Sequence, residues 1–380
     1  MTPNARVIAP CEHRPVDRVP IYHASISSRM ASIVLGREAY VGGGIQQWRE
    51  AVALWNGEDA HREFLERTRR DTLELPEVLD TDLVRPWYWR LNEKPARRID
   101  EHTFLYGDPE RSWRVMRFDP GTELYQTVDR HPKVETTVED LEAEVGLLVE
   151  RLDSYDPKTE LLYQDVVEAL KVYRGERAVP GLGVGIAVPN RSQAWIEMVA
   201  ADPALVKRLV DAQTEYVLRR IGSYADLDVR VMLGGGDMAT NHGPIYSPKA
   251  FREIMVPNLK RIVDACRALG KYYFFASDGN LWPIADDLFP IVDGYYEIDR
   301  RAGMDLKLLR ERYPHLTLIG NISSHTLHRG TTEEVVAETL SCIEAAKEYG
   351  SIIVGCSNLI VGQTPEENLL AMLETLKQER

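Results

Sequence analysis

From about residue 180 to its end the chain alternates short apolar runs with amphipathic stretches, the pattern of parallel strands joined by crossover helices. The runs cover residues 183–188, 229–233, 272–276, 294–298, 316–319 and 351–355. Helices are predicted over 191–223, 248–269, 305–313 and 332–349. Ser247 stands as a capping serine before a first-turn proline, Pro248, and Glu333 and Glu334 put acid at a helix start, where the helix dipole favours it. Gly270 and Gly350 suit helix C-termini. Runs at 19–23 and 72–75 add two strands upstream, for a count of eight. Eight parallel strands with alternating helices predict an α/β fold, a closed (β/α)8 TIM barrel spanning 1–380 as a single domain. The segment at about 83–139 breaks the alternation with Trp87, Tyr88, Trp89, a Tyr106-Gly107-Asp108-Pro109 turn and Trp113. It is expected to be a small β-rich insertion covering one end of the barrel.

Composition narrows the function classes. The chain has 380 residues, with 46 Lys and Arg against 59 Asp and Glu, a formal net charge of −13. That balance argues against nucleic acid or an anionic membrane as the main partner. No stretch approaches the ~20 apolar residues of a membrane span. Residues 1–18 carry charges and prolines where a signal peptide has its apolar region, so a cytoplasmic location is expected. Cys11, Cys266, Cys342 and Cys356 form no CxxC and no regular framework, which points to reduced thiols. Cys266 and Cys342 fall inside predicted helices, as packing residues do.

In a barrel the chemistry gathers at the carboxyl ends of the strands. Polar residues recur there: His23, Gly234-Gly235-Gly236-Asp237, Ser277-Asp278-Gly279-Asn280, Glu297, Asn321 and Cys356-Ser357-Asn358. Asp237, Asp278, Glu297 and Cys356, with His242 just after Asp237, have the mixed chemistry that zinc accepts as ligands. The plainer alternative is that Asp278-Gly279-Asn280 is a turn and Cys356 a small buried filler. Gly181-Leu182-Gly183-Val184-Gly185 imitates a dinucleotide fingerprint, but its third glycine comes early and it enters a strand rather than leaving one. The Trp87-Tyr88-Trp89 cluster suits either an aromatic ligand or packing within the insertion.

Leu233-Gly234-Gly235-Gly236-Asp237-Met238-Ala239-Thr240, Gly243-Pro244, Ser247-Pro248-Lys249-Ala250-Phe251 and Ser277-Asp278-Gly279-Asn280 together resemble the central motifs of the uroporphyrinogen decarboxylase superfamily. Ala302-Gly303-Met304-Asp305, Ile319-Gly320-Asn321-Ile322, Thr364-Pro365-Glu366-Glu367-Asn368-Leu369 and, near the start, Pro15-Val16-Asp17-Arg18-Val19-Pro20 extend the resemblance over most of the chain. It implies the barrel independently of the strand count. Within the superfamily the sequence is similar to the corrinoid-dependent methyltransferases, because residues 21–29 lack the arginine-rich stretch with which the decarboxylases grip substrate carboxylates.

The zinc-containing methyltransferases end one strand with His-x-Cys and a later one with Cys. Here those positions hold Ala276, Asp278 and Cys356. With fewer thiolates, such a site suits a Lewis acid acting on an oxygen ligand. The resemblance therefore implies transfer of a methyl group from a small O-methylated, or N-methylated, substrate to a corrinoid. No Asp-x-His-x-x-Gly motif is present, which places the corrinoid on a partner protein. Asp237, Glu297 and Asn321 are the catalytic candidates, and Cys356, Asp278 and His242 the candidate Zn2+ ligands. A carboxyl such as Glu297 or Asp278 is the alternative source of help, as proton donor. A decarboxylase-like lyase would need cationic clamps at the mouth, for which Arg300 and Arg301 are the candidates. A non-catalytic small-molecule-binding relative is the third class. The methyl donor and any homo-oligomer stay open.

Overall fold

Five of the predicted runs form one parallel sheet, with the strands Val231–Gly235, Tyr272–Ala276, Gly294–Tyr296, Thr317–Ile319 and Ile352–Ile353 side by side in chain order. The computed structural model describes residues 1–132 and 136–380. Helices return the chain between strands, among them Val256–Ala268, Leu306–Arg312 and Thr332–Tyr349. The expected caps are present: the Ser247 side chain accepts from the Ala250 N–H, and Thr331 with Glu334 makes a capping box. The long helix predicted over 191–223 is two, Gln193–Ala201 and Pro203–Ser223. Asp202 ends the first and caps the second by accepting from the Leu205 N–H at 3.1 Å, with Pro203 in the first turn.

The remaining positions are held by single bridges. Ile21 pairs with Val354, the Asp82 N–H donates to the Ile21 carbonyl, the Val84 N–H donates to the Ala178 carbonyl, and Gly181 pairs with Met232. These contacts lead from the last strand of the sheet back to its first. They do not add up to a regular eight-stranded sheet among the described residues, so the fold is mixed α/β without a closed barrel ladder. Proline explains the irregularity: Pro20, Pro86 and Pro180 sit beside these bridges and have no N–H to donate. Residues 183–188 accordingly form no ladder, although Val184, Ile186 and Val188 are buried. Gly355 allows the first and last segments to touch, since a Cβ there would lie 1.7 Å from the Tyr22 carbonyl oxygen.

One strand expectation is corrected outright. Residues 72–75 belong to the helix Glu58–Val78, and residues 82–84 take the strand position instead. Phe64, Thr68, Thr72 and Leu75 recur at helical spacing and are all buried, so the longer 3.6-residue period outweighs the local β propensity of Thr72-Leu73.

The segment expected as an insertion holds a four-stranded antiparallel sheet, Arg97–Arg98, Thr103–Asp108, Ser112–Asp119 and Leu124–His131. Residues 133–135 of that segment lie outside the described residues. The turn before Leu124 touches the chain beyond the last parallel strand, where Gln363 Nε2 donates to the Gly121 carbonyl. Among the described residues no helix is long and apolar enough to cross a membrane.

Both faces of the parallel sheet are buried, as parallel strands require. Leu233, Phe274, Ala276, Tyr296, Ile319 and Ile353 share one cluster with Tyr22 and Leu83. Their alternates, including Met232, Tyr273, Phe275, Tyr295, Ile352 and Val354, pack with the helices.

Candidate acid site at the strand ends

Side chains two apart on a strand share a face, so the two clusters say which way each polar strand end points. Phe274 and Ala276 are inward, and the next residue in that series is Asp278. Ile352 and Val354 are outward, and the next in that series is Cys356, which joins the helix-side cluster. Glu297 follows the inward Tyr296 and by simple alternation would turn toward the helices. Its φ of +62°, rare for a residue with a side chain, breaks the alternation. Glu297 thereby lines a cavity of about 170 Å³ with Tyr22, Arg85, Trp87, Leu233 and Tyr296.

Three carboxyl groups lie near enough here for their charges to act on one another, and their burial differs. Asp237 is exposed, while Asp278 and Glu297 are half-buried. Burial pushes Asp278 up to about 6, helped by the charges of Asp237 and Asp299, against a hydrogen bond of 2.6 Å donated by Asn358 Nδ2. Burial also pushes Glu297 up to about 7. Asp278, which ionises first, and Asp237 raise it further, whereas the Arg85 guanidinium opposes them. The result is a carboxylic acid, Glu297, that holds its proton near neutrality at a site where Asp278 is also pushed up.

The other candidate residues lie elsewhere. Asn321 is 1% exposed; its Nδ2 donates to the Met304 carbonyl at 3.1 Å and its Oδ1 accepts from Arg300 Nη2 at 3.2 Å. It braces the turn Arg300–Ala302 against the sheet, and Arg300 is spent in the same contacts. Cys356 has Glu338 and Cys342 of the helix Thr332–Tyr349 as its neighbours, and burial pushes its thiol up to about 12. Its backbone N–H donates to His23 Nδ1 at 3.2 Å. His242 is exposed in the turn between Ala239–Thr240 and Gly243–Pro244. Among the described residues no three His, Cys, Asp or Glu side chains are grouped to hold a metal ion. The donor set Cys356, Asp278 and His242 therefore does not fit Zn2+: one member faces the helices, one the mouth and one the tip of a turn.

The uroporphyrinogen decarboxylase (URO-D) family profile matches residues 189–379, just over half of the chain. The chain belongs to the uroporphyrinogen decarboxylase family. A methyltransferase from Methanosarcina mazei is similar in structure, with a TM-score of 0.61 at 17% identity, covering 100% of this chain and 99% of that one. At that identity the likeness speaks for the fold. No curated protein sequence matches the chain.

In this uroporphyrinogen decarboxylase family chain the Glu297 cavity is lined by a cation, Arg85, a residue that sequence reasoning missed. Its Nη1 donates to the Ala24 carbonyl, and its guanidinium lies 5.3 Å from the ring centre of Trp87. Trp87 and Trp89 stack on each other, with centroids 4.3 Å apart and planes at 12°. The signal in the sequence was Arg85-Pro86-Trp87 directly after an apolar pair, and it was hidden by the placing of the second strand at 72–75. His23 is also at the mouth, 6% exposed, with burial lowering it to about 4. It is therefore a neutral imidazole.

Proposed function

We propose that this chain is a methyltransferase that moves a methyl group from a small O-methylated substrate to the cobalt of a corrinoid carried by a partner protein, with Glu297 as proton donor to the leaving oxygen. A (β/α)8 barrel with the 97–131 sheet over its mouth is the scaffold in this reading. The observation that carries it is Glu297 itself, a carboxylic acid that keeps its proton to about pH 7 inside a cavity at the strand ends. The difficulty in cleaving a methyl ether is the poor leaving group. A reduced corrinoid supplies the nucleophile that takes the methyl carbon. As the carbon–oxygen bond breaks, its electron pair stays on oxygen, and the Glu297 proton neutralises the charge that develops there. Arg85 then faces the Glu297 carboxylate and stabilises it. The charges of Asp278 and Asp237 favour the protonated form of Glu297 and so keep its proton in place until it is needed.

Zinc has no part in this reading, because the donors do not come together. The likeness in fold to a methyltransferase supports the reaction class. The four unpaired cysteines suit a reducing, cytoplasmic setting. Mixing the protein with a cobalt(I) corrinoid and a panel of methyl ethers, and following the cobalt(I) absorption, tests the proposal. Methyl transfer from at least one donor, lost in Glu297→Gln, is the expected result; a cobalt(I) spectrum unchanged by every donor overturns it. Arg85 also favours a second reading, a lyase acting on a carboxylated substrate, which release of carbon dioxide without any change at cobalt would identify.

A further inference from the structure

A second cavity, of about 60 Å³, lies between the carboxyl end of the first central segment and the helix Glu58–Val78. Three of its lining residues, His23, Thr72 and Arg85, each carry a buried polar atom without a hydrogen-bond partner among the described residues. The atoms are His23 Nε2, Thr72 Oγ1 and Arg85 Nε. His23 Nδ1 accepts the Cys356 N–H, so Nε2 carries the ring hydrogen and is a donor. Arg85 Nε is a donor in every protonation state proteins reach, and the Thr72 hydroxyl has a hydrogen to give. A buried polar group without a partner is costly, and three around one cavity call for an occupant. One water offers two lone pairs to three donors and needs acceptors for its own hydrogens. A carboxylate offers four lone pairs, no hydrogen, and a charge opposite to that of Arg85. Val41, Leu75 and Leu83 supply an apolar wall for the carbon that bears it.

We infer that this cavity is a binding subsite for the carboxylate of a small organic acid, held by His23, Thr72 and Arg85. Arg85 and Trp87 line this cavity and the one at Glu297 alike, so the two cavities are neighbours across these side chains. On the proposed reading of Glu297, the methyl donor is thus a carboxylic acid whose far end presents its methylated oxygen to that residue.

Propionate and its neutral amide, propionamide, are the probes. Each is titrated into the full-length protein with intrinsic tryptophan fluorescence as readout, at constant ionic strength. Saturable binding of propionate at least tenfold tighter than of propionamide is expected, because the amide turns its own N–H groups toward three donors. Thr72→Val keeps the shape and removes one donor, so propionate should bind it at least threefold more weakly, with an unchanged melting curve as control for folding. Arg85→Gln should lose the preference for propionate over propionamide. Equal binding of the two probes, no saturable binding of propionate, or a Thr72→Val titration that matches the unmodified protein overturns the subsite. Failure of methyl transfer with propionate binding intact sinks the proposed function and leaves the subsite standing.

Discussion

Replacing Glu297 by glutamine removes the one proton on which the proposed chemistry depends, and the structure gives the size of the accompanying change in stability. The folded carboxyl titrates at about 7 against an ordinary 4.5. Between those values the native state holds a proton that the unfolded chain has released, so stability falls as pH rises through the interval. At 1.36 kcal/mol per pH unit the full difference is about 3 kcal/mol, absent below pH 4.5 and complete above pH 7. Glutamine has the shape of the protonated acid and never ionises. Glu297→Gln should therefore match the unmodified protein at pH 4.5 and exceed it at pH 8 by up to about 3 kcal/mol, while methyl transfer drops by a factor on the order of 10² to 10⁴. Urea unfolding of both proteins at several pH values between 4.5 and 8 reads the difference directly. Two curves that run parallel across that range, or a glutamine variant less stable at pH 8, would show that Glu297 is an ordinary ionised carboxylate, and the acid role would go with it. A gain in stability paired with a loss of turnover is the mark of a residue kept for chemistry.

Other outcomes follow from the packing around the site. Asp82 is fully buried, accepts the Ile21 N–H at 2.8 Å, and pairs with Arg6 and with Arg380 at 3.0 Å; Asp82→Ala leaves the Ile21 N–H without its acceptor and takes one carboxylate from each guanidinium, while Arg6 keeps Asp17 and Arg380 keeps Asp80, so it should lower the unfolding free energy by about 1–3 kcal/mol in a urea titration. Cys356→Ala should leave both the zinc content of protein purified without chelator and the transfer rate unchanged within about twofold, because the thiol faces the helices; loss of stoichiometric metal in the variant would restore the zinc reading. Gly355→Ala drives a methyl into the Tyr22 carbonyl and should lower the urea midpoint by the equivalent of at least about 2 kcal/mol.

The site was legible in the sequence as a set of residues and not as an arrangement. Asp237, Asp278 and Glu297 were readable because apolar runs end in them, and a run that ends in charge marks the place where a strand leaves the core. Asn321 and Cys356 end runs in the same way, yet they face the helix layer. Arg85 and Thr72 were hidden by one misplaced strand, since a helix of 21 residues with Thr72 on its buried face looks locally like a strand at 72–75.

What the chain determines by itself is local. Hydrophobic period, capping serines and threonines, and helix-ending glycines placed all five sheet strands to within two residues and the helix Thr332–Tyr349 at both ends. These signals act between neighbours in sequence and need no partner. The direction of each side chain is decided by tertiary structure. It depends on where a strand's alternation starts, and hydrogen bonds to other strands set that register. One residue in the left-handed region, Glu297, then reverses the alternation at the point where the acid must enter the mouth.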